Sequence, residues 1–363
     1  MIHPPDQPRA WKGRGAASNP EGRFESTRQH VEDDGWQSAL LDDDAPRPRT
    51  CVSEEQACTV ITRNDSPDVG FAQALNPYRG CEHGCIYCFA RPSHSYLNLS
   101  PGLDFETQLR AKVNAAEVLR AELAKLGYLP RPINIGSNTD PYQPIEKRWR
   151  LTRAVLEVLA ACHHPCTIVT KNALVERDLD LLVPMAREHL VQVFVSVNSL
   201  DNHLAAKLEP RASAPHRRLK AIATLAAAGV PVGVLVAPII PALNDKDMEA
   251  VIERAAQAGA RSAGYTVVRL PWQLKTLFRE WLDLHVPARA EHVMSLIRQM
   301  HHGRDYDADF RTRMRGSGPF AELLRRRFEL ACQRHDLGRT REVALDTTHF
   351  VPPRPPSPQG ELF

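Results

Sequence analysis

No run of ~18 apolar residues occurs anywhere in the chain, which excludes a membrane-spanning helix. The start, Met1-Ile2-His3-Pro4-Pro5-Asp6-Gln7-Pro8, has neither a charged n-region nor an apolar h-region, so no secretory signal is expected. Charge of one sign is also missing. Lys and Arg number 46 against 43 Asp and Glu, which implies no strongly polyelectrolyte partner. The 8 cysteines form no secreted disulfide framework; in a long unsecreted chain they point to a reducing compartment and ligand chemistry. A soluble cytoplasmic protein with no membrane partner is expected. At 363 residues the chain can bury a substantial core, and one large domain with tails fits better than two equal ones.

What is present is concentrated in one loop, Cys81-Glu82-His83-Gly84-Cys85-Ile86-Tyr87-Cys88, with the spacing C-x3-C-x2-C. A cubic iron–sulfur cluster that only carries electrons takes four thiolates. Three close cysteines without a nearby fourth suggest that one iron is left open for a small ligand. Gly80 and Gly84 let the loop curl so that the three Sγ atoms converge. A zinc site would want a fourth Cys or His, and His83 is the obvious objection. Its position between two ligands, in so tight a loop, makes it hard for the ring to reach the same metal.

The longer stretch from Asn76-Pro77-Tyr78-Arg79-Gly80-Cys81 through Cys88-Phe89-Ala90-Arg91-Pro92 resembles the spore photoproduct lyase-like branch of the radical S-adenosylmethionine (SAM) superfamily. The likeness runs from about Asp65 to Arg269. It implies a [4Fe-4S] cluster on Cys81, Cys85 and Cys88, and SAM chelated through its amino and carboxylate groups at the open iron. It further implies reductive cleavage of SAM to methionine and a 5′-deoxyadenosyl radical, which abstracts hydrogen from a substrate. An electron donor of the flavodoxin or ferredoxin type would be the partner.

Apolar β-rich runs alternate with helical patterns between Val60 and about Val268. Strands are expected at Leu75–Tyr78, Pro132–Gly136, Thr167–Thr170, Val191–Val197, Val232–Val236 and Gly264–Val268. Helices are expected at Phe105–Leu126, Leu151–Cys162, Glu176–His189, Pro215–Ala228 and Lys246–Ala258. Leu151, Val155, Val158 and Leu159 make the stripe of a helix packed on a sheet. Gly229 and Gly259 stand at helix stops. Such alternation gives right-handed crossovers and a parallel sheet. The expected fold class is therefore α/β: a partial (β/α)6 barrel, in agreement with the radical SAM resemblance, with an N-terminal arm and a C-terminal helical extension. The divisions are an extended or partly disordered arm at 1–58, the core at 59–287, the extension at 288–345 and a Pro-rich tail at 346–363.

Ligands gather at the C-terminal ends of parallel strands. After the second expected strand comes the dense polar turn Gly136-Ser137-Asn138-Thr139-Asp140-Pro141-Tyr142-Gln143-Pro144. The resemblance places Thr139 and Asp140 near the SAM amino group; a turn that merely reverses the chain is the alternative. Lys171, after the third strand, resembles a lysine that meets SAM, where its ammonium would hold the methionyl carboxylate; a lysine snorkelling at a sheet edge is the alternative. Ser196 resembles a SAM-contacting serine, with Asn198 its neighbour. Glu209, Pro210 and Arg218 match the branch's glutamate-proline and basic residue, or form a buried support pair. Pro238, in Ala237-Pro238-Ile239-Ile240-Pro241, suits adenine packing, and Tyr87 is placed to border the adenine.

Ser137 stands where the lyase carries its hydrogen-donating cysteine. A hydroxyl is a poorer hydrogen-atom donor than a thiol, so a substrate other than the spore thymine dimer is expected. Cys162-His163-His164-Pro165-Cys166 invites a second metal, but buried thiols at a helix–strand junction are the favoured reading. Cys51, Cys58 and Cys332 are read as free thiols. The competing class is a non-catalytic Fe–S, DNA-associated binding protein with a structural cluster. Gln359-Gly360-Glu361-Leu362-Phe363 resembles the short peptide by which bacterial repair proteins dock on the DNA sliding clamp. In that case the Arg-rich stretch 311–327 would contact phosphates; a solvated face balanced by Asp305, Asp307, Asp309 and Glu322 is the alternative.

Overall fold

A computed structural model describes residues 10–24, 48–339 and 344–353. In chain order its strands and helices are β1 (Cys51–Glu55), β2 (Ile61–Arg63), β3 (Gln73–Leu75), β4 (Tyr78–Arg79), α1 (Asp104–Thr107), β5 (Gln108–Lys112), α2 (Ala115–Leu123), β6 (Ile133–Ile135), α3 (Glu146–Trp149), α4 (Leu151–Ala161) and β7 (Cys166–Thr170). They continue as α5 (Leu179–Arg187), β8 (Val191–Ser196), α6 (Asn202–Leu208), α7 (Pro215–Ala227), β9 (Val232–Ile239), α8 (Met248–Gln257), β10 (Ser262–Val267), α9 (Leu274–His285), α10 (Ala290–Met300), α11 (Gly318–Arg334) and β11 (Gly338–Arg339). An 8-stranded sheet runs β11-β10-β9-β8-β7-β6-β3-β2. Its strands β3 and β6 to β11 are parallel to their neighbours, and only the edge strand β2 is antiparallel.

The inner strands β6–β10 overlap five of the strands expected from the sequence, while β3 shares only Leu75 with the first expected one, and the α/β partial barrel is the observed fold. Strands such as β6 and β8 are buried on both faces and are mostly apolar, broken only by Asn134 in β6 and by Gln192 and Ser196 in β8. Val155, Val158 and Leu159 of α4 are buried in the core against this sheet, whereas Leu151 is buried in a separate cluster with Tyr78 of β4 and Ala111 of β5. At α7 and α8 the helices end one residue before the expected stops, with Gly229 and Gly259 at positive φ.

Three expectations need correction. The helix expected over Phe105–Leu126 is instead α1, β5 and α2. Residues 108–112 alternate as Gln-Leu-Arg-Ala-Lys, and they pair with β1 on one side and β4 on the other, so ladder bonds outweigh helix propensity. The strand expected over Leu75–Tyr78 breaks at Pro77, which has no N–H to continue a ladder. Its end residues, Leu75 in β3 and Tyr78 in β4, belong to different sheets. The Glu176–His189 helix begins as a 3-10 turn over Ala173–Asp178 and becomes α-helical only at α5.

The described part of the N-terminal segment lies close to the cysteine loop: Arg14, Gly15 and Ala16 are buried. Beyond α10, β11 adds to the β10 side of the sheet and α11 packs on α8, so this extension meets the open edge of the barrel. Most of its arginines face carboxylates: Arg311 meets Asp309, Arg313 meets Asp68, Arg325 and Arg326 meet Glu322, and Arg327 meets Glu249. No helix among the described residues is long and apolar enough to cross a membrane. The Gln359–Phe363 motif lies outside the described residues.

Candidate active site

The cysteine loop leaves β4 at Gly80 and is built from successive tight turns. Gly84 N–H bonds Cys81 O at 3.3 Å, Cys88 N–H bonds Cys85 O at 3.2 Å, and Arg91 N–H bonds Cys88 O at 3.1 Å. Gly84 takes φ +66, and a Cβ there would stand 2.6 Å from Glu106 Oε2, so only glycine fits. The Cys81 and Cys85 side chains are buried and Cys88 is half-buried. Burial pushes the Cys85 thiol well up; Glu209 and the other two thiols add to this, and Lys171 opposes it. Burial likewise raises Cys88, with Cys81 adding to it. The three sulfurs thus share one low-dielectric space, where the charge of a metal cluster would make thiolates favourable. Among the described residues no three Cys, His, Asp or Glu side chains close on a single ion. A cluster places each thiolate on a different iron, so this donor set suits a cluster better than a mononuclear zinc site.

His83 is engaged elsewhere. Its Nδ1 lies 3.3 Å from Asp140 Oδ2, and its Nε2 lies 3.2 Å from Asn172 Nδ2. Burial alone would lower its pKa, but Asp140 and Cys81 raise it. Asp140 in turn receives Thr170 Oγ1–H and Lys171 N–H, both at 2.7 Å, and Tyr142 N–H at 2.9 Å. Burial pushes its carboxyl up, yet His83 and these donors bring it down to about 2. Asp140 therefore ties the polar turn to β7 and to the cysteine loop.

Thr139 is buried on the same turn; its N–H bonds Asn76 Oδ1 at 3.1 Å and its hydroxyl bonds Tyr78 O at 3.3 Å. Ser137 Oγ accepts from Asn76 Nδ2 at 3.0 Å. Lys171 follows β7, and its ammonium has no hydrogen bond or ion pair among the described residues, while its charge reaches Cys85 and Cys88. Ser196 ends β8, and its carbonyl accepts from Arg218 at 3.0 Å. Asn198 Nδ2 donates to the Tyr87 hydroxyl at 3.3 Å, whereas its buried Oδ1 has no partner. The Tyr87 hydroxyl donates to Glu209, whose other oxygen pairs with Arg218. Pro238 follows a cis peptide bond, and its carbonyl shares Asn244 Nδ2 with that of Asn198, at 3.0 and 2.8 Å. The structure thus brings two groups together: Thr139, Asp140 and Lys171 on one side, and Tyr87, Ser196, Asn198, Glu209, Arg218 and Pro238 on the other.

Sequence reading missed several organising residues. Gln143 accepts from Glu82 N–H at 2.8 Å and donates to Gly80 O at 3.2 Å, framing the first cysteine. Asn244 braces the two strand ends just described. Arg91 and Glu106 form a fully buried pair beneath the cysteine loop. For Gln143 and Arg91, each just before a proline, that neighbour was the available signal; Asn244 and Glu106 carry none. The tempting Cys162–Cys166 segment lies at the start of β7, the opposite end of the sheet from the cysteine loop. There His164 faces Pro165 O at 3.0 Å and the Tyr128 hydroxyl at 2.9 Å.

The fold and this site define an enzyme of the radical SAM class. The Radical SAM superfamily profile matches residues 75–255, and the chain belongs to that superfamily. It is 37% identical over 231 residues to an uncharacterized protein of Mycobacterium tuberculosis, covering 63% of this chain and 68% of that protein. An uncharacterized protein of Methanocaldococcus jannaschii is 28% identical over 176 residues, 48% of this chain and 63% of the relative. Among solved structures, a mutant spore photoproduct lyase superposes with TM-score 0.51 and 17% identity, covering 78% of this chain and 79% of that one. A second mutant of that lyase, with bound AdoMet and dinucleoside spore photoproduct, gives TM-score 0.51 and covers 78% of each chain.

Proposed function

We propose that the chain binds a [4Fe-4S] cluster through Cys81, Cys85 and Cys88 and cleaves SAM reductively. One observation carries this: three thiols, two buried and one half-buried, share a loop at the C-terminal ends of the parallel strands, beside the Lys171 ammonium and Asn198 Oδ1, which have no partner among the described residues. When bound and reduced, the cluster would supply an electron to SAM and yield a 5′-deoxyadenosyl radical that takes hydrogen from substrate. The chain's own residues do the rest. Lys171 holds the methionyl carboxylate, Asn198 Oδ1 accepts a hydrogen bond from the ligand, and Tyr87, fixed by Glu209, borders the adenine. Asp140 and Thr139 set the polar turn that faces the amino group. The low-dielectric pocket keeps water from the radical.

Damaged nucleic acid is the first substrate class to test, supported by the likeness in fold to a lyase solved with a dinucleoside photoproduct. Ser137 in place of a thiol favours a lesion or substrate other than that lyase's. We assign the electron supply to a flavodoxin- or ferredoxin-type donor in the cytoplasm, and the Gln359–Phe363 tail to docking on DNA or its sliding clamp. The test is anaerobic reconstitution with iron and sulfide, reduction, addition of SAM, and quantification of 5′-deoxyadenosine, with Cys88→Ala alongside. Nucleoside from the wild type alone supports the reading. A loaded cluster that never cleaves SAM under strong reduction sinks it in favour of a structural cluster. Loss of Gln359–Phe363 should abolish retention of the clamp in a pull-down; unchanged retention removes the docking assignment.

A further inference from the structure

We infer that Arg14, Gly15 and Ala16 form a strap that positions the cysteine loop, making the N-terminal segment a part of the cluster site although it lies outside the superfamily match at 75–255. The inference rests on the reading that Cys81, Cys85 and Cys88 hold an iron–sulfur cluster. Its centre is Glu106, which is wholly buried. Its two carboxylate oxygens receive Gly15 N–H at 3.0 Å and Ala16 N–H at 2.8 Å. Its backbone carbonyl receives Arg14 at 2.9 Å, and Arg14 also donates to Pro48 O at 2.7 Å and Thr50 Oγ1 at 2.9 Å.

Glu106 Oε1 also pairs with Arg91 at 2.5 Å. Arg91 carries the connection into the loop, donating to Cys85 O at 2.9 Å and Gly84 O at 3.1 Å, while Pro101 O and Gly102 O take its remaining bonds. One buried ion pair therefore joins the strap to the carbonyls of a ligand cysteine and its neighbour. The approach is direct as well. A Cβ on Gly15 would stand 1.8 Å from Gly84 O and 3.3 Å from Ile86 N, so only glycine lets the strap lie on the loop. Ala16 packs in the same apolar cluster as Cys85, Ile86 and Tyr87.

This arrangement acts on a cluster in two ways. It fixes the peptide planes around Gly84 and Cys85, and hydrogen bonding near cluster sulfurs tunes the potential. It also covers the loop against solvent, and burial sets both potential and access of oxidants. A buried carboxylate that lost two of its donors would draw water to the same place. Arg14 and Gly15 are positioning residues, since neither needs to touch the cluster.

The test uses the full chain, reconstituted anaerobically, in wild type, Gly15→Val, Arg14→Ala and, as a control on the same segment, Ser18→Ala, whose hydroxyl bonds Glu280 rather than the loop. Two readouts go beyond folding: the rate at which cluster absorbance is lost in air, and the midpoint potential from a titration followed by electron paramagnetic resonance. Gly15→Val and Arg14→Ala should bleach roughly tenfold faster or more, as expected for a loop that opens after losing two or more buried hydrogen bonds. Both should show a shifted potential, with Ser18→Ala unchanged. Should Gly15→Val fail to fold, Arg14→Ala, which removes side-chain bonds without inserting bulk, decides the matter. Loaded variants that match the wild type in both readouts overturn the inference alone. A wild-type chain that takes up no cluster overturns the reading of the site, and this inference with it.

Discussion

Removing Glu209 should destabilise the protein far more than removing Glu209 and Arg218 together. The two residues are 2% and 1% exposed, and they pair directly. Glu209→Leu leaves a buried guanidinium without its counter-charge, which costs about 3–5 kcal/mol. The same change takes the acceptor from the Tyr87 hydroxyl, adding about 1 kcal/mol. Arg218→Met should cost a similar amount, because it strands the carboxylate and removes donors from Ser196 O and Ser213 O. In Glu209→Leu with Arg218→Met no charge remains buried. Only polar groups that lost partners, the two carbonyls and the Tyr87 hydroxyl, are left, at about 1–3 kcal/mol in all once water reaches some of them. Urea unfolding of the apo protein, followed by circular dichroism, measures all three. Single variants that each cost under about 1 kcal/mol, or a double variant equal to the sum of the singles, would refute a coupled buried pair.

Lys171→Met should weaken SAM binding about ten- to a hundredfold, the worth of one charge-assisted hydrogen bond, with little change in stability because the ammonium has no partner among the described residues. Unchanged SAM affinity in equilibrium dialysis would exclude it from the carboxylate site. His164 is buried, and its pKa is brought down to about 4 by that burial. An unfolded histidine takes its proton near pH ~6.5, so stability should be fully present above that value and fall as pH drops from about 6.5 to about 4. The loss is up to about 3 kcal/mol. Urea unfolding across that window should show a flatter dependence in His164→Gln, and identical slopes would contradict the assignment. Asn76→Ala frees the N–H groups of Asn138 and Thr139, and should cost about 1–3 kcal/mol. A thermal midpoint equal to wild type would show that the polar turn holds its shape without it.

Much of the barrel was legible because its signals are local. The inner strands are short, largely buried and mostly apolar, and the intervening helices carry one-sided stripes, as at Leu151–Leu159. Where the reading failed, at residues 105–126 and at Leu75–Tyr78, the outcome depended on ladder partners far along the chain. Nothing in Gln108–Lys112 announces that Cys51–Glu55 will lie beside it. The candidate site divides in the same way. The cysteines and the polar turn, Gln143 included, stand out by composition, whereas Asn244 and the Arg91–Glu106 pair are ordinary polar residues until folding places them.

By itself, then, the chain's order of residues determined the chemistry on offer: three thiols at cluster spacing, a parallel α/β frame from alternating patterns, and polar segments at the strand ends. Tertiary structure decided how those groups are used. It turned Asp140 inward onto His83, Thr170 and Lys171 N–H, left the Lys171 ammonium and Asn198 Oδ1 without partners among the described residues, and laid Gly15 on Gly84. The physical reason is range. Spacing and periodicity act over a few residues, but the satisfaction of a buried charge such as Glu106 is settled only when segments some ninety residues apart close around it.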